Sequence, residues 1–341
     1  MTANKPKNPT MKDVAQQVGV SVQTISAVIN EKPGITPETR ERVFTAIEQI
    51  GYRPFSIARS LRTRRTHTVA LIVPDIANPS FSTIASAAED VAHASGYSLV
   101  NYNTHESPER EANYIRTAAE RWVDGVLFVS SGDQIHGLES LQKAGIPCVA
   151  IDRNPESYSG PSVTLNNVRA GELATNHLID LGHRRLAHIS GPQRLSLARE
   201  RQAGFQRAIE AHGLPKGLVI NSAGWSCADG FSAFQTLLGT KPYPTAVFAA
   251  SDRIAIGAMR AANQKGLRIP EDISIVGLDD VELAAYQNPP LTTVQQSFTD
   301  LATLAMQLLL ALLNGEQPAK TRLVLEPHLV VRASTTSVRT P

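Results

Sequence analysis

Six side chains in this sequence have the types, and the expected positions, to grip a small polar ring. Arg201 precedes Gly204-Phe205 on a predicted helix, Trp225 directly follows a predicted strand, and Asp279 comes after the strand-like Ile275-Val-Gly. Asp152 and Arg153 end the run Cys148–Ile151, and Phe81 lies in the loop Asp75–Ser82. Guanidinium and carboxylate groups make paired hydrogen bonds to neighbouring hydroxyls, and an aromatic face packs on an apolar ring face. Together that is the chemistry of sugar recognition. Plain structural roles stay open for two of them. Trp225 could fill a core, and Arg153 could pair with a surface acid.

Covalent chemistry finds no such set. There is no Gly-rich phosphate loop, and in Gly224-Trp-Ser-Cys-Ala228 alanine occupies the position where a nucleophile elbow needs glycine. His177, His183 and His188 are too loosely spaced for a metal set and suit a helix face or hydrogen-bonded positions. Asp279 and Asp280 are adjacent at a strand end, so their side chains point apart. The residues imply binding rather than catalysis.

A second chemistry lies at the N-terminus. Thr10 to Asn30 reads as two short helices with a turn at Gly19, where glycine takes the left-handed conformation cheaply. Thr10 and Asp13 form a capping-box-like pair, and Ser21 caps the second helix. Val14, Ala15 and Val18 form an apolar stripe on the first helix; Ile25, Val28 and Ile29 do so on the second. Val22, Gln23, Ser26 and Ala27 are left facing outward. A tight helix pair with a polar, uncharged outer face suits a DNA major groove, although any small helical hairpin could carry the pattern. Thr36 and Pro37 start a third helix with Val43, Phe44, Ile47 and Ile50 as its buried stripe. Beyond it Arg59, Arg62, Arg64 and Arg65 crowd together. Residues 1–65 carry 11 Lys/Arg against 5 Asp/Glu, a net of +6, while the rest nets −4. A basic head on a mildly acidic body is the footprint of a nucleic-acid binder. A solvated charged linker remains open for Arg62–Arg65.

The elements that must hold the ring-binding residues alternate between strand and helix from Thr68 onward. Predicted strands are Val69–Val73, Tyr97–Val100, Val126–Val129 and Cys148–Ile151, with helices Ser82–Ser95, Arg110–Arg121 and Gly137–Ala144 between them. A second set follows Val163-Thr-Leu: helix Ala170–Leu181, strand Leu186–Ser190, helix Ala198–His212, strand Leu218–Asn221, helix Cys227–Leu238, strand Ala246–Ala249, helix Ile254–Lys265 and strand Ile273–Gly277. This predicts two doubly wound parallel sheets with a cleft between them, and ligands in such folds bind beyond the carboxyl ends of strands. A chain of 341 residues exceeds one ordinary core. Mean hydropathy of −0.14 suits a soluble protein, and the apolar run Leu304–Leu313 is interrupted by Gln307 and too short to span a membrane. Residues 1–10 lead into no apolar stretch, so no secretory signal is read. Cys148 and Cys227 make no disulfide framework, and Cys148 is expected to be buried. These features fit the cytoplasm of a prokaryote.

Met11-Lys-Asp-Val-Ala15 through Ser26-Ala-Val-Ile-Asn30 resembles the headpiece of the lactose-repressor (LacI) family of bacterial transcription regulators, and Ser56-Ile-Ala-Arg-Ser-Leu61 resembles its hinge helix. Val123-Asp-Gly-Val, Gly182-His-Arg-Arg-Leu-Ala, Arg201-Gln-Ala-Gly-Phe205, Pro244-Thr-Ala-Val-Phe248, Gly277-Leu-Asp-Asp280 and Pro289-Pro-Leu-Thr-Thr-Val294 continue the likeness in order, across residues 10–333. The resemblance implies an α/β fold: a helix-turn-helix headpiece and hinge helix, then two doubly wound parallel-sheet subdomains like those of periplasmic binding proteins. The headpiece would occupy residues 1–54, the hinge 55–67, and the effector-binding and dimerisation domain 68–341. The first subdomain would span about 68–164 plus 294–325, and the second about 165–293 plus 326–341.

The resemblance further implies a repressor that binds a palindromic operator as a homodimer under control of a small molecule, with no cofactor, metal or membrane involved. Its DNA contacts would come from Thr10, Ser21, Val22, Gln23, Thr24, Ser26, Ala27 and Asn30, and from Ile57, Ala58 and Leu61 of the hinge. Val22, Gln23 and Ala27 would face the major groove, with Ser21 and Thr24 on phosphates; Ala27 departs from the larger polar residues many relatives carry there. The family's effector motifs map directly onto Arg201, Trp225 and Asp279, and less directly onto Phe81, Arg153 and Asp252; Asp252 could instead cap a helix beginning near Ile254. A monosaccharide or a derivative is the expected effector; Asp279-Asp-Val-Glu-Leu-Ala and Pro289-Pro-Leu-Thr-Thr are similar to ribose-type repressors, a likeness of scaffold rather than of ligand contacts. A purine is the alternative within the family, but Leu195 and Leu197 stand where that branch places polar contacts. Residues 68–333 alone would also suit a sugar-binding transport protein, which the basic head and missing export signal oppose. Arg332–Pro341 shows no heptad repeat of the kind that builds the family's tetramers.

Overall fold

In the computed structural model, which describes residues 9–29, 32–52, 65–120 and 123–338, the chain divides into two units, residues 1–66 and 67–341. Among the described residues three helices make the first: α1 (Met11–Val18), α2 (Val22–Ile29) and α3 (Pro37–Ile50). The Asp13 carboxylate accepts from the Thr10 backbone N–H at 2.6 Å and from its hydroxyl at 2.7 Å, closing the start of α1. Gly19 ends α1 at φ 74°, and the Ser21 hydroxyl accepts from the Thr24 N–H at 3.1 Å to start α2. Val14, Val18, Ile25, Val28, Val43 and Ala46 close over one another as a small core. The stripe expected on α3 needs one correction. Phe44 is exposed, because Val43 and Ala46 set the inward face and the next residue round the helix points away from it.

Among the described residues the second unit holds two six-stranded sheets. The first is β1 (Thr68–Val73), β2 (Ser98–Asn103), β3 (Gly125–Phe128), β4 (Cys148–Asp152), β5 (Ser162–Leu165) and, much later, β11 (Arg322–Leu325), in the order β11-β5-β4-β3-β1-β2. Its helices are α4 (Pro79–Ala94), α5 (Pro108–Glu120) and α6 (Leu138–Ala144). The second sheet is β6 (Leu186–Ser190), β7 (Leu218–Asn221), β8 (Ala246–Ala249), β9 (Ser274–Asp279), β10 (Thr292–Gln295) and β12 (His328–Val330), in the order β12-β10-β9-β8-β6-β7. Around it lie α7 (Asn167–Asp180), α8 (Ser196–Ala211), α9 (Cys227–Leu238), α10 (Asp252–Gln264) and the short α11 (Glu282–Ala285). All pairings are parallel except β10 with β12. The inner strands β1, β3, β4 and β8 read as nearly continuous apolar, buried runs because helices cover both faces.

The chain passes between the sheets three times: after β5, after β10 and after β11. The return placed near residue 294 falls slightly later, since β10 pairs with β9 through Gln295, and helix α12 (Phe298–Leu313) then joins the first sheet's core with Leu301, Ala305, Met306 and Leu309. The run Leu304–Leu313 is therefore a packing helix, with Gln307 on its exposed side. Cys148 is half-buried rather than buried. Among the described residues no helix is long and apolar enough to cross a membrane.

Candidate functional site

Strand ends bring the ring-binding residues together. β4 delivers Asp152 and Arg153, β9 delivers Asp279, and the turn after β7 delivers Trp225. Arg201 comes from α8, which is drawn close to α7 by a glycine contact: a Cβ on Gly204 would lie 2.1 Å from the Val168 carbonyl oxygen. Gly191 likewise leaves room for the Trp225 ring, since a Cβ there would lie 2.2 Å from it. Asp152 (φ 62°) and Asp279 (φ 125°) adopt backbone conformations rare for non-glycine residues. Such strain persists where surroundings enforce it and clusters at functional sites.

One pocket gathers these groups. Phe81, Asp152, Arg153, Arg201, Trp225 and Asp279 line it, with Asn78, Ser80, Leu197, Ser251, Arg253 and Phe298. Its free volume is about 20 Å³, roughly the room of a single water, so the walls stand close together. Arg201 donates to Asn167 Oδ1 at 2.9 Å, to the Ala250 carbonyl at 2.7 Å and to Gln296 Oε1 at 3.3 Å, and it lies 3.8 Å from Asp279. Gln296 also donates to Asp152. This one glutamine, in the segment between the sheets, ties the arginine of the second wall to the aspartate of the first. Arg153 sits over both aromatic rings, 5.1 Å from the Phe81 centroid and 5.8 Å from that of Trp225; Arg201 is also 5.8 Å from Trp225. Burial pushes Asp279 above the usual carboxylate range, and the Arg201 charge pulls it back down. Two donors remain without a protein partner, Trp225 Nε1 and Arg153 Nε. Buried donors of that kind are rare and call for a partner.

Six of the seven expected residues thus line one pocket, and Asp252 does not. Its carboxylate is consumed by the Thr293 hydroxyl at 2.6 Å and the Val281 N–H at 2.9 Å, and burial raises it to about 6. Nor does it cap α10, because Ser251 accepts from the Ile254 N–H at 3.3 Å. Asp252 instead braces the end of β9, while its neighbours Ser251 and Arg253 reach the pocket. Leu197 lines the pocket, whereas Leu195 is in the second subdomain's core. The histidines are structural. His188 is fully buried on β6, stacked on Phe248 and Phe205, and pushed down to about 3 by burial. His177 bonds to the Thr335 hydroxyl, and His183 to Thr245 and Ser274.

The sequence reading missed Asn78, Ser80, Ser251, Arg253 and Gln296. Two of these carried a usable signal. Asn78 and Ser251 are helix N-caps in the connections that follow strands β1 and β8, where a doubly wound sheet presents its ligand site.

On the first unit, Val22 and Gln23 are exposed on α2, and Thr24, Ser26 and Ala27 are half-buried. The Ser21 and Thr24 hydroxyls bond to each other at 2.9 Å. Thr10 faces its own Asp13, which occupies both its N–H and its hydroxyl proton. Asn30, Ile57, Ala58 and Leu61 lie outside the described residues, as do Arg59, Arg62 and Arg64.

A helix-turn-helix unit followed by a two-sheet domain with a polar cleft defines a ligand-controlled DNA-binding regulator, and comparison with known proteins gives the family. Residues 10–54 match the family of bacterial regulatory proteins, lacI family, and residues 175–335 match a periplasmic binding protein-like domain. The chain is 37% identical over 326 residues to the ribose operon repressor of Halalkalibacterium halodurans, covering 96% of this chain and 97% of that one. It is also 37% identical over 325 residues to the transcriptional repressor PurR of Vibrio vulnificus, covering 95% and 97%. The fold matches a crystal structure of the Lac repressor dimer bound to operator and the anti-inducer ONPF, with a TM-score of 0.87, 29% identity and coverage of 97% and 100%. The chain belongs to the lacI family and is a DNA-binding transcriptional regulator with an effector-binding domain.

Proposed function

We propose that this regulator is a repressor that binds a palindromic operator as a homodimer and is switched by a sugar-like metabolite held in the cleft. Binding, not turnover, is the task of the cleft. The observation that carries the effector reading is the meeting of both walls on Gln296, with Asp152 on one side and Arg201 on the other. A polyol placed there can exchange hydroxyls for the glutamine's contacts and find the orphan donors of Trp225 and Arg153. A ligand that touches both walls favours one arrangement of the subdomains, and its differential affinity for the two arrangements sets the size of the switch. Overall identity is equal for the ribose and purine repressors above, so the pocket must decide between the two. Leu197 offers a purine's ring edge no hydrogen bond, whereas the Arg–Asp pairs suit hydroxyls.

We place the headpiece at residues 1–54, the hinge at 55–67 and the effector domain at 68–341. Gln23, exposed on α2, is the side chain there able to pair bidentately with adenine. Hinge residues Ile57, Ala58 and Leu61 would contact the minor groove. The test is a thermal-shift panel of neutral sugars and purines on the purified protein, followed by an operator mobility shift with each hit. A sugar that stabilises the protein and changes operator affinity is expected. A purine that does so alone would replace the sugar reading.

A further inference from the structure

Three guanidinium groups line the cleft, and each is met by a carboxylate. Arg201 stands by Asp279, Arg253 lies 3.5 Å from Asp75, and Arg153 is bound by Glu106. The last contact is the densest. Arg153 Nη1 donates to both Glu106 oxygens, at 3.2 and 3.0 Å, Nη2 donates to Oε1 at 3.2 Å, and Nη1 also reaches the Ser130 carbonyl at 3.3 Å. Arg153 is almost completely buried, whereas the Glu106 side chain keeps 28% of its surface exposed. A second arginine, Arg194 from the opposite wall, reaches Glu106 at 3.3 Å.

Glu106 is not a pocket-lining residue, and its placement is enforced. It lies in the turn just beyond the carboxyl end of β2, the edge of the sheet where ligands bind. Both His105 (φ 53°) and Glu106 (φ 58°) take left-handed conformations without being glycine, and the Glu106 N–H is tied to the Pro74 carbonyl at 3.0 Å. Two consecutive strained residues that aim one carboxylate at one buried arginine fit a functional constraint. Without that carboxylate the guanidinium would be the strongest anion-binding group on the first wall.

We propose that Glu106 sets the charge class of the effector: by satisfying Arg153 it restricts the cleft to uncharged ligands and rejects phosphorylated or acidic ones. This rests on reading the cleft as the effector site. In Glu106→Gln the same side-chain shape remains, but the charge of Arg153 is released to the cleft.

The test uses the full-length protein and two kinds of probe. Inorganic phosphate is titrated by calorimetry into the wild type, Glu106→Gln, and the double variant Glu106→Gln/Arg153→Gln. Neutral sugars and their phosphate esters are then compared in pairs. The wild type is expected to ignore phosphate and to prefer the neutral member of any pair it binds. Glu106→Gln should gain phosphate or phosphate-ester affinity by roughly tenfold to a hundredfold, the worth of one charge-assisted hydrogen bond, and the double variant should lose that gain. Glu106→Asp, which keeps the charge, should retain the neutral preference and guards against a folding defect in the glutamine variant. A purely structural Glu106 would alter stability without changing the ratio of anionic to neutral affinity. Equal phosphate-ester binding by the wild type and Glu106→Gln would overturn the proposal while leaving the sugar reading intact. If no sugar of either kind binds the wild type but Glu106→Gln still gains phosphate, the sugar reading fails and the charge gate stands.

Discussion

The two walls of the cleft each bury an arginine, and they satisfy it in opposite ways. On the second wall Arg201 is held mainly by neutral acceptors, namely Asn167, the Ala250 carbonyl and Gln296, with Asp279 at a longer 3.8 Å. On the first wall Arg153 is held by the carboxylate of Glu106. Neutral acceptors fix the Arg201 guanidinium and Asp279 only offsets its charge from 3.8 Å, whereas Glu106 both fixes Arg153 and offsets its charge. The second wall is thus a preorganised recognition surface, and the first is closer to a gate. Further ties join the walls outside the pocket. Asp133 accepts from Arg199 at 2.6 Å and from the Ser196 N–H at 2.9 Å, and Glu156 shares the same arginine.

The largest effect should come from breaking the second wall. Arg201→Ala removes the donor on which Asn167, Ala250 and Gln296 converge and leaves the buried Asp279 beside a hole. Breaking one partner of a buried, hydrogen-bonded charge typically costs about 3–5 kcal/mol. Denaturant unfolding of the effector domain should show a loss of that order, and calorimetry should show no effector binding. The matching Arg153→Ala should cost less stability, because Glu106 is partly exposed and can be hydrated. Equal losses for the two would erase the distinction between the walls.

A smaller effect separates bracing from recognition on the second wall. Asp252→Ala strands the Val281 N–H and the Thr293 hydroxyl, both bonded to its carboxylate, at about 1–3 kcal/mol for each buried group left unpaired. Effector affinity per folded molecule should change little, because the side chain is not in the pocket. A specific loss of affinity at unchanged stability would return Asp252 to the site.

How much of this was legible follows from what kind of signal each residue gives. Trp225 and Asp279 stand out because a rare and a charged residue type fall just past predicted strands, and Arg201 because it opens the motif Arg201-Gln-Ala-Gly-Phe205 on a helix. Gln296 gave nothing: its role exists only because the chain re-crosses between the sheets after β10, and no local pattern encodes that. Glu106 was equally silent, since a glutamate in a polar loop reads as solvated. The edge strands β11 and β12 were missed because they are short and mostly half or fully exposed, so neither alternation nor an unbroken apolar run marks them. Helix α12 was hidden by the opposite fault, an apolar run too continuous to show a face. Phe44 was misplaced because a large apolar residue next to a true stripe position mimics membership of it.

The first wall also predicts a pH effect, smaller than the losses above. Glu111 on α5 is fully buried behind Arg153. Its Oε1 accepts from the Ser131 N–H at 3.0 Å, and its Oε2 has no partner. Burial raises it to about 7, with Ser131, Ser130 and Arg153 pulling down and Glu106 pushing up. The folded protein therefore keeps a proton between roughly pH 4.5 and 7 that the unfolded chain, with an ordinary glutamate, has released. Stability from this group is full below that window and declines as pH rises through it, by a ceiling of about 3 kcal/mol. Glu111→Gln keeps the shape and removes the proton. Its melting temperature relative to wild type should therefore rise between pH 5 and 7.5, by a few degrees for a domain of this size. A constant difference across that range would mean that Glu111 is ionised throughout.

The smallest effect concerns the pair that joins the walls at the pocket mouth. Arg253 and Asp75 are 3.5 Å apart, with 24% and 33% of their side chains exposed. A pair of this kind contributes about 0–1 kcal/mol and is screened by salt. Arg253→Ala should leave the melting temperature nearly unchanged. Arg253 also lines the pocket, so effector affinity is the sharper readout. If Arg253 only helps hold the walls together, the wild type and Arg253→Ala should differ several-fold in affinity at low salt and converge as salt is raised. If it hydrogen-bonds the effector directly, the difference should persist at high salt, because a shielded contact is screened much less. Persistence would make Arg253 a third recognition arginine and extend the second wall's mode of binding to the mouth of the cleft.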